Sequence, residues 1–75
     1  MEKYYQVSSA MRCGDNITKI ASSRDSAIDK VANVLFERNL EVENIYYRDE
    51  PHKHNEVMKC NDGSLIFIDR VEYGK

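Results

Sequence analysis

The sequence is poor in several residue types: it has no tryptophan, one proline, three glycines and two cysteines. Cys13 and Cys60 are too few to form the framework of a disulfide-rich domain, and we interpret both as small packing residues. The longest purely apolar stretch after the N-terminal segment is Leu65–Ile68, far short of a membrane span, and Met1–Val7 lacks the apolar run of a signal peptide. We therefore expect a cytoplasmic protein that does not enter a membrane.

The charge distribution also lacks any long run of one sign. Eleven Lys and Arg residues oppose 13 Asp and Glu residues, which gives a net charge of -2. This balance argues against a protein that wraps nucleic acid with a basic stripe. The net negative charge is also too small for an acidic mimic of a nucleic-acid backbone. Hydrophobic residues make up 41% of the chain, so we expect residues 1–75 to fold as one domain.

No cluster of residues predicts catalysis or metal binding. His52, His54, Cys13 and Cys60 are the residue types that bind zinc, but the two cysteines are far apart in sequence, whereas structural zinc sites usually contain closely spaced pairs. Neither cysteine lies in a local sequence signature of a catalytic nucleophile. The glycines lack the spacing of a phosphate-binding loop. We expect no enzyme activity, cofactor or metal.

Hydrophobic periodicity predicts an α+β fold. Alternation of apolar and polar residues predicts five strands, and spacing of three and four residues predicts one helix between the second and third strands. The predicted strands are Lys3–Ser9, Ile17–Ala21, Val42–Arg48, Glu56–Cys60 and Leu65–Val71. The order β-β-α-β-β-β predicts a single antiparallel sheet covered on one face by the helix.

The helix has signals at both ends and an apolar stripe between them. Ser22 and Ser23 predict an N-terminal cap, Asp25 suits the positive end of the helix dipole, and we expect the helix to end near Asn39. The predicted stripe consists of Ala27, Ile28, Val31, Ala32, Val34 and Leu35. This stripe has to cover one face of the sheet.

The last hairpin is apolar on both of its faces. Asp62-Gly63 favours a tight turn, and the strand that follows directs Leu65 and Phe67 to one side and Ile66 and Ile68 to the other. One helix covers only one face of a sheet. The second face therefore needs a partner chain, a folded-over loop or long charged side chains to shield it.

Four of the five tyrosines form two pairs, Tyr4-Tyr5 and Tyr46-Tyr47. Neighbouring side chains on a strand point to opposite faces, so one tyrosine of each pair can pack in the core while the other points outward. Exposed tyrosines are frequent in protein interfaces, and nearby carboxylates steer a basic partner towards them. The predicted partner-binding residues are Tyr4, Glu43, Tyr46, Asp49 and Glu50.

The segment Thr18–Ala32 joins a strand end to a serine-rich cap and a helix with alanines five positions apart. Its position after an N-terminal hairpin and before further strands resembles the layout of small phage-encoded proteins, including a type I-F anti-CRISPR inhibitor with a sheet covered by one helix. Similar stretches occur in antitoxins and double-stranded RNA-binding domains. The resemblance implies a non-enzymatic inhibitor that docks on a crRNA-guided Cas complex and blocks its access to target DNA. Inhibitors of this kind can use basic surface residues to bind the Cas complex, whereas this chain is slightly acidic. We therefore assign no contact residue of this chain from the resemblance.

We therefore expect a phage or mobile-element inhibitor that binds a bacterial defence complex in the host cytoplasm. One alternative is a nucleic-acid-binding module in which exposed tyrosines stack on unpaired bases. Its phosphate contacts would come from Lys19, Arg24, Lys30 or Arg48. A second alternative is a structural protein that forms a homodimer through the two-sided final hairpin.

Overall fold

The computed structural model describes residues 2–12, 14, 16–47 and 55–73, which form a five-stranded antiparallel sheet and one α-helix. The elements are β1 (Glu2–Ala10), β2 (Thr18–Ala21), α1 (Arg24–Arg38), β3 (Val42–Tyr47), β4 (Glu56–Cys60) and β5 (Leu65–Tyr73). This confirms the predicted α+β fold and the predicted order of elements. No helix in these residues is long and apolar enough to cross a membrane.

The strands are arranged in the order β2-β1-β5-β4-β3. The longest pairing joins the first and last strands, from Glu2 opposite Tyr73 to Ala10 opposite Leu65. This pairing puts β1 and β5 inside the sheet and connects the N-terminal hairpin to the C-terminal one. The two edges of the sheet are consequently β2 and β3.

The ends of α1 follow the predicted capping chemistry. The Oγ atom of Ser23 accepts a hydrogen bond from the Ser26 backbone N–H at 3.1 Å. At the other end Asn39 takes a left-handed conformation with φ 54° and ψ 46°, and the Leu40 N–H donates to the Leu35 carbonyl at 2.9 Å. Both ends of the helix are therefore set by short-range interactions.

The core lies between α1 and one face of the sheet. Its buried residues are Val7, Met11, Ala21, Ala27, Val31, Val34, Met58, Cys60, Ile66 and Ile68. The predicted helix stripe is correct except at Ala32, which is exposed. Ala32 follows Val31 and lies about 100° further round the helix, turned away from the sheet.

The outer face of the sheet, which is the face opposite α1, is partly apolar. On β5 the side chains of Ile66 and Ile68 belong to the core, whereas Leu65 and Phe67 alternate with them, lie on the outer face and are half-buried. Val57 on β4 pairs with Phe67 and is buried. The predicted two-sided character of the last strand is confirmed, and part of its outer face is covered within the chain itself.

Four residues separate β4 from β5, and three of them, residues 61–63, form the loop between Cys60 and Ser64. Its Gly63 has φ 92°, the Gly63 N–H donates to the Cys60 carbonyl at 3.0 Å, and the Cys60 N–H donates to the Ser64 carbonyl at 2.8 Å. These bonds are typical of a tight turn followed by a left-handed glycine. Ser64 also binds the segment that follows β1, because its Oγ atom accepts a hydrogen bond from the Arg12 N–H at 2.9 Å.

Candidate protein-docking surface

Large apolar side chains are concentrated on β3. Ile45, Tyr46 and Tyr47 are 47%, 48% and 70% exposed, and they account for three of the five exposed large hydrophobic residues in the described part of the chain. Single exposed hydrophobic residues are normal on protein surfaces, whereas several of them on one edge strand make that edge a candidate interaction site. We name Glu43, Ile45, Tyr46 and Tyr47 the β3 surface.

These side chains lie on both sides of the sheet. Ile45 pairs with Met58 and Tyr47 pairs with Glu56 on the side of α1, while Tyr46 pairs with Val57 and therefore lies on the outer face. The expectation that one tyrosine of each pair is buried agrees with Tyr5, which packs against the core. It is wrong for Tyr46-Tyr47, since both side chains are exposed.

The position of the helix explains this difference. The main contacts of α1 with the sheet are made to β1 and β2, at the opposite end of the sheet from β3. Side chains on the helix side of β3 therefore receive little cover from α1. The same alternating pattern that buries Tyr5 leaves Tyr47 at the surface.

An ion pair joins the first residue of the helix to β4, the strand next to β3. Arg24, the first residue of α1, binds Glu56 with two hydrogen bonds, from Nε to Oε2 at 3.0 Å and from Nη2 to Oε1 at 2.6 Å. The Glu56 side chain is buried and the Arg24 side chain is half-exposed. The hydrogen bonds and the charge of Glu56 raise the pKa of Arg24. Since Glu56 pairs with Tyr47, this cation lies next to the β3 surface.

The predicted contact residues do not all come together. Tyr4 pairs with Val71 on the outer face and is half-buried. It is three strands from Tyr46, about 14 Å across the sheet at roughly 4.8 Å per strand, and it is also displaced along the strand direction. Glu43 is exposed on the same strand as Tyr46, three positions before it, and lies where the pairing of β3 with β4 shifts between Val42 and Asn44.

The other two predicted contact residues, Asp49 and Glu50, lie outside the described residues. The prediction that they bind a partner therefore stays a prediction. The same applies to Arg48, one of the four cations proposed for nucleic-acid binding. A second cation of that set, Arg24, is engaged by Glu56.

The sequence did not predict the exposure of four apolar residues, Ile20, Phe36, Ile45 and Tyr47. The signal for Phe36 was present, because at about 100° per residue it lies on the side of the helix opposite Val31 and Val34, and its side chain is 87% exposed. The signal for Ile45 and Tyr47 was absent. Their alternation fits a buried face equally well, and only the placement of the helix distinguishes the two cases.

Cys60 has the environment of a packing residue. Its side chain is fully buried in the core, and burial, followed by the charges of Asp62 and Glu43, raises the pKa of the thiol. A reactive cysteine requires the opposite shift. Within the described residues no group of three or more His, Cys, Asp or Glu side chains could hold a metal ion, while Cys13, His52 and His54 lie outside them.

Comparison of this chain with protein-family models, curated proteins and solved structures finds no match.

Proposed function

We propose that this protein acts by binding another protein in a fixed ratio, and that the β3 surface makes the contact. The observation that carries the proposal is the run of three exposed apolar residues, Ile45 to Tyr47, on a strand at the edge of the sheet. Tyrosine provides a large contact area with little loss of side-chain entropy, which suits it to the centre of an interface.

The charges beside this run favour a basic partner. Glu41 and Glu43 are both exposed at the start of β3. Carboxylates next to exposed rings attract Arg and Lys side chains and accelerate association, while the rings supply most of the affinity. The partner surface that fits best is therefore apolar at its centre and cationic at one side.

Because the layout of the chain resembles that of anti-CRISPR inhibitors, a Cas complex is the first partner to test. In this proposal the chain is a phage or mobile-element inhibitor that binds a crRNA-guided Cas complex in the host cytoplasm and blocks its access to target DNA. Cas complexes guide nucleic acid along cationic surfaces, and such a surface would meet the carboxylates of β3. Neither a catalytic group nor a cofactor is needed for this activity.

The experiment is a pull-down with the tagged protein from lysate of a bacterium carrying an active CRISPR system, read by mass spectrometry at low and high salt. We expect Cas subunits in a stoichiometric amount. Recovery of nucleic acid alone, lost at high salt, would instead support the nucleic-acid-binding alternative, because phosphate contacts weaken steeply as salt rises. Recovery of neither would contradict the choice of partner.

Matched variants then test the surface. Tyr46→Ala and Ile45→Ala should each weaken binding to the captured partner by about 1–3 kcal/mol. Ile20→Ala is the control, since Ile20 is also exposed but lies on β2 at the opposite edge of the sheet, and its affinity should not change. Unchanged affinity in folded Tyr46→Ala and Ile45→Ala proteins would remove β3 from the contact.

A further inference from the structure

Asp62-Gly63 is the one position in the sequence where an acidic or amide side chain precedes glycine. In such a pair the glycine nitrogen can attack the Cγ atom of the preceding side chain, because glycine has no side chain to obstruct the approach. The new N–Cγ bond closes a succinimide ring, and the carboxyl OH group leaves with the amide proton as one molecule of water. Water then opens the ring. Cleavage of the N–Cγ bond restores aspartate, and cleavage of the bond from nitrogen to the backbone carbonyl carbon gives isoaspartate.

The turn between β4 and β5 depends on the same two residues. Gly63 has φ 92°, a conformation that favours glycine over every other residue. Asp62 accepts hydrogen bonds from the Ser64 N–H at 2.8 Å and from the Ser64 Oγ–H at 3.0 Å. The residues that close the turn are therefore also the pair that can form the succinimide.

The folded turn holds both reacting groups in other interactions. The Gly63 N–H donates to the Cys60 carbonyl at 3.0 Å, so its proton is engaged away from the Asp62 side chain. Both carboxylate oxygens of Asp62 accept from Ser64, and these hydrogen bonds, the backbone one first, lower the pKa of Asp62. An ionised carboxylate has no OH group to release as water. Ring closure in the folded protein therefore has to wait until the turn opens.

Hydrogen bonds to two other connections of the chain oppose this opening. The Asn61 N–H donates to the Glu41 carbonyl at 2.9 Å, and the Glu41 N–H donates to Asn61 Oδ1 at 3.3 Å. On the other side the Arg12 N–H donates to Ser64 Oγ at 2.9 Å. Isoaspartate lengthens the main chain by one methylene group between Asn61 and Gly63. A lengthened loop cannot keep the spacing on which these bonds depend.

We propose that Asp62-Gly63 is a site of spontaneous isomerisation that the folded turn keeps unreactive, that it reacts when the chain is unfolded, and that the product weakens the fold. The substrate is the chain itself, and water is the only other reactant. Refolding does not remove the isoaspartate. This inference does not depend on the partner or the surface proposed above.

The first test compares the rate of isomerisation in the folded chain and in the chain unfolded by guanidinium chloride, at the same pH and temperature. Isoaspartate leaves the mass unchanged, so it is counted by chromatography of the fragments after digestion with a protease that cleaves before aspartate and not before isoaspartate. A peptide of residues 57–67 in both solvents corrects for the effect of the denaturant. We expect the folded chain to react at least about tenfold more slowly, because it has to open first. Equal corrected rates would overturn the proposal.

Matched variants test whether the turn itself gives the protection. Ser64→Ala should accelerate isomerisation in the folded protein by about two- to tenfold, the effect of losing one hydrogen bond. Ser9→Ala is the control, since Ser9 Oγ also accepts from a backbone N–H, that of Ile17 at 2.8 Å, but away from this turn. Equal acceleration in both would refute local protection. Asn61→Ala, which loses the bond from the Glu41 N–H, replaces Ser64→Ala if that variant does not fold. Asp62→Glu, which cannot form the five-membered ring, should give no isomer at this position.

The product is tested by its stability. The isoaspartate form is separated from the aspartate form of the same denatured sample, and both are refolded, so that they share one history. We expect the isoaspartate form to unfold at a urea concentration lower by about 0.5–1 M, the effect of losing one or two hydrogen bonds of the turn. Equal midpoints would show that the turn tolerates the longer main chain, contrary to the proposal. Neither measurement involves a partner, so failure here leaves the proposed function unaffected, and the reverse also holds.

Discussion

Removing either partner of the Arg24–Glu56 ion pair should lower the free energy of unfolding, by an amount that depends on which partner is removed. Glu56 is buried at the start of β4, while the Arg24 side chain is 48% exposed at the start of α1. Arg24→Gln leaves a buried carboxylate without its cation. Glu56→Gln leaves a guanidinium that water can reach. We therefore expect Arg24→Gln to be the more destabilising change.

The size of the difference follows from the burial. Removing one partner of a fully buried pair costs about 3–5 kcal/mol, because a charge is left buried without compensation. Water can approach Glu56 from the exposed side of Arg24, so we expect about 2–3 kcal/mol for Arg24→Gln. For Glu56→Gln we expect about 1 kcal/mol, the value of a hydrogen bond whose remaining partner is solvated. Both values are large against the roughly 4–11 kcal/mol expected for a chain of this length.

The assay is equilibrium unfolding in urea followed by circular dichroism, with the double variant completing a mutant cycle. Glu72→Gln is the control, because its partner Arg70 is 3.3 Å away and both side chains are exposed, so the change should cost less than about 0.5 kcal/mol. Equal costs for Arg24→Gln and Glu56→Gln, or a larger cost for Glu56→Gln, would refute the argument from burial.

Two further predictions concern groups with shifted pKa values. In a Cys13→Ser background, Cys60 should react with thiol reagents at neutral pH only as fast as the protein opens, since the thiol is buried and its pKa is raised. Its pKa in the folded state exceeds the ordinary 9.0, so its contribution to stability is complete below pH 9.0 and is lost as the pH rises towards the folded value. Urea unfolding of Cys60→Ala between pH 7 and 10 should lack this loss, and an identical pH profile would contradict the prediction. Asp62 accepts hydrogen bonds from the Ser64 N–H at 2.8 Å and Oγ–H at 3.0 Å, which lower its pKa below the ordinary 3.8. Its contribution is therefore present above pH 3.8 and is lost as the pH falls through the lowered value, so Asp62→Asn should show a smaller drop in thermal midpoint between pH 5 and 2. A drop as large as that of the wild-type protein would show that the turn does not depend on this carboxylate.

Local patterns in the sequence predicted the elements of the fold. The bounds predicted for β4 are those observed, and the caps at Ser23 and Asn39 lie at the two ends of α1. Alternation in β5 correctly assigned Ile66 and Leu65 to opposite faces. These features depend on residues within a few positions of one another, and their spacing can therefore be interpreted without knowing the rest of the structure.

The candidate site was predicted less well. Tyr46 and Glu43 are exposed as expected, but Tyr4 lies on another part of the sheet, and the exposure of Ile45 and Tyr47 was missed. Each of these outcomes depends on strand order and on where the helix lies. Neither can be inferred from the alternation of side chains along one strand.

By itself, then, the sequence determined the five strands, the helix and the faces on which their side chains lie. Only the tertiary structure decided that β5 pairs with β1, that β3 is left at an edge, and that α1 covers the opposite end of the sheet. The physical reason is that these choices depend on contacts between residues distant in the chain, such as Arg24 with Glu56 and Arg12 with Ser64. The periodicity of apolar residues indicates on which face a side chain lies, whereas packing between distant segments determines which residues it contacts there.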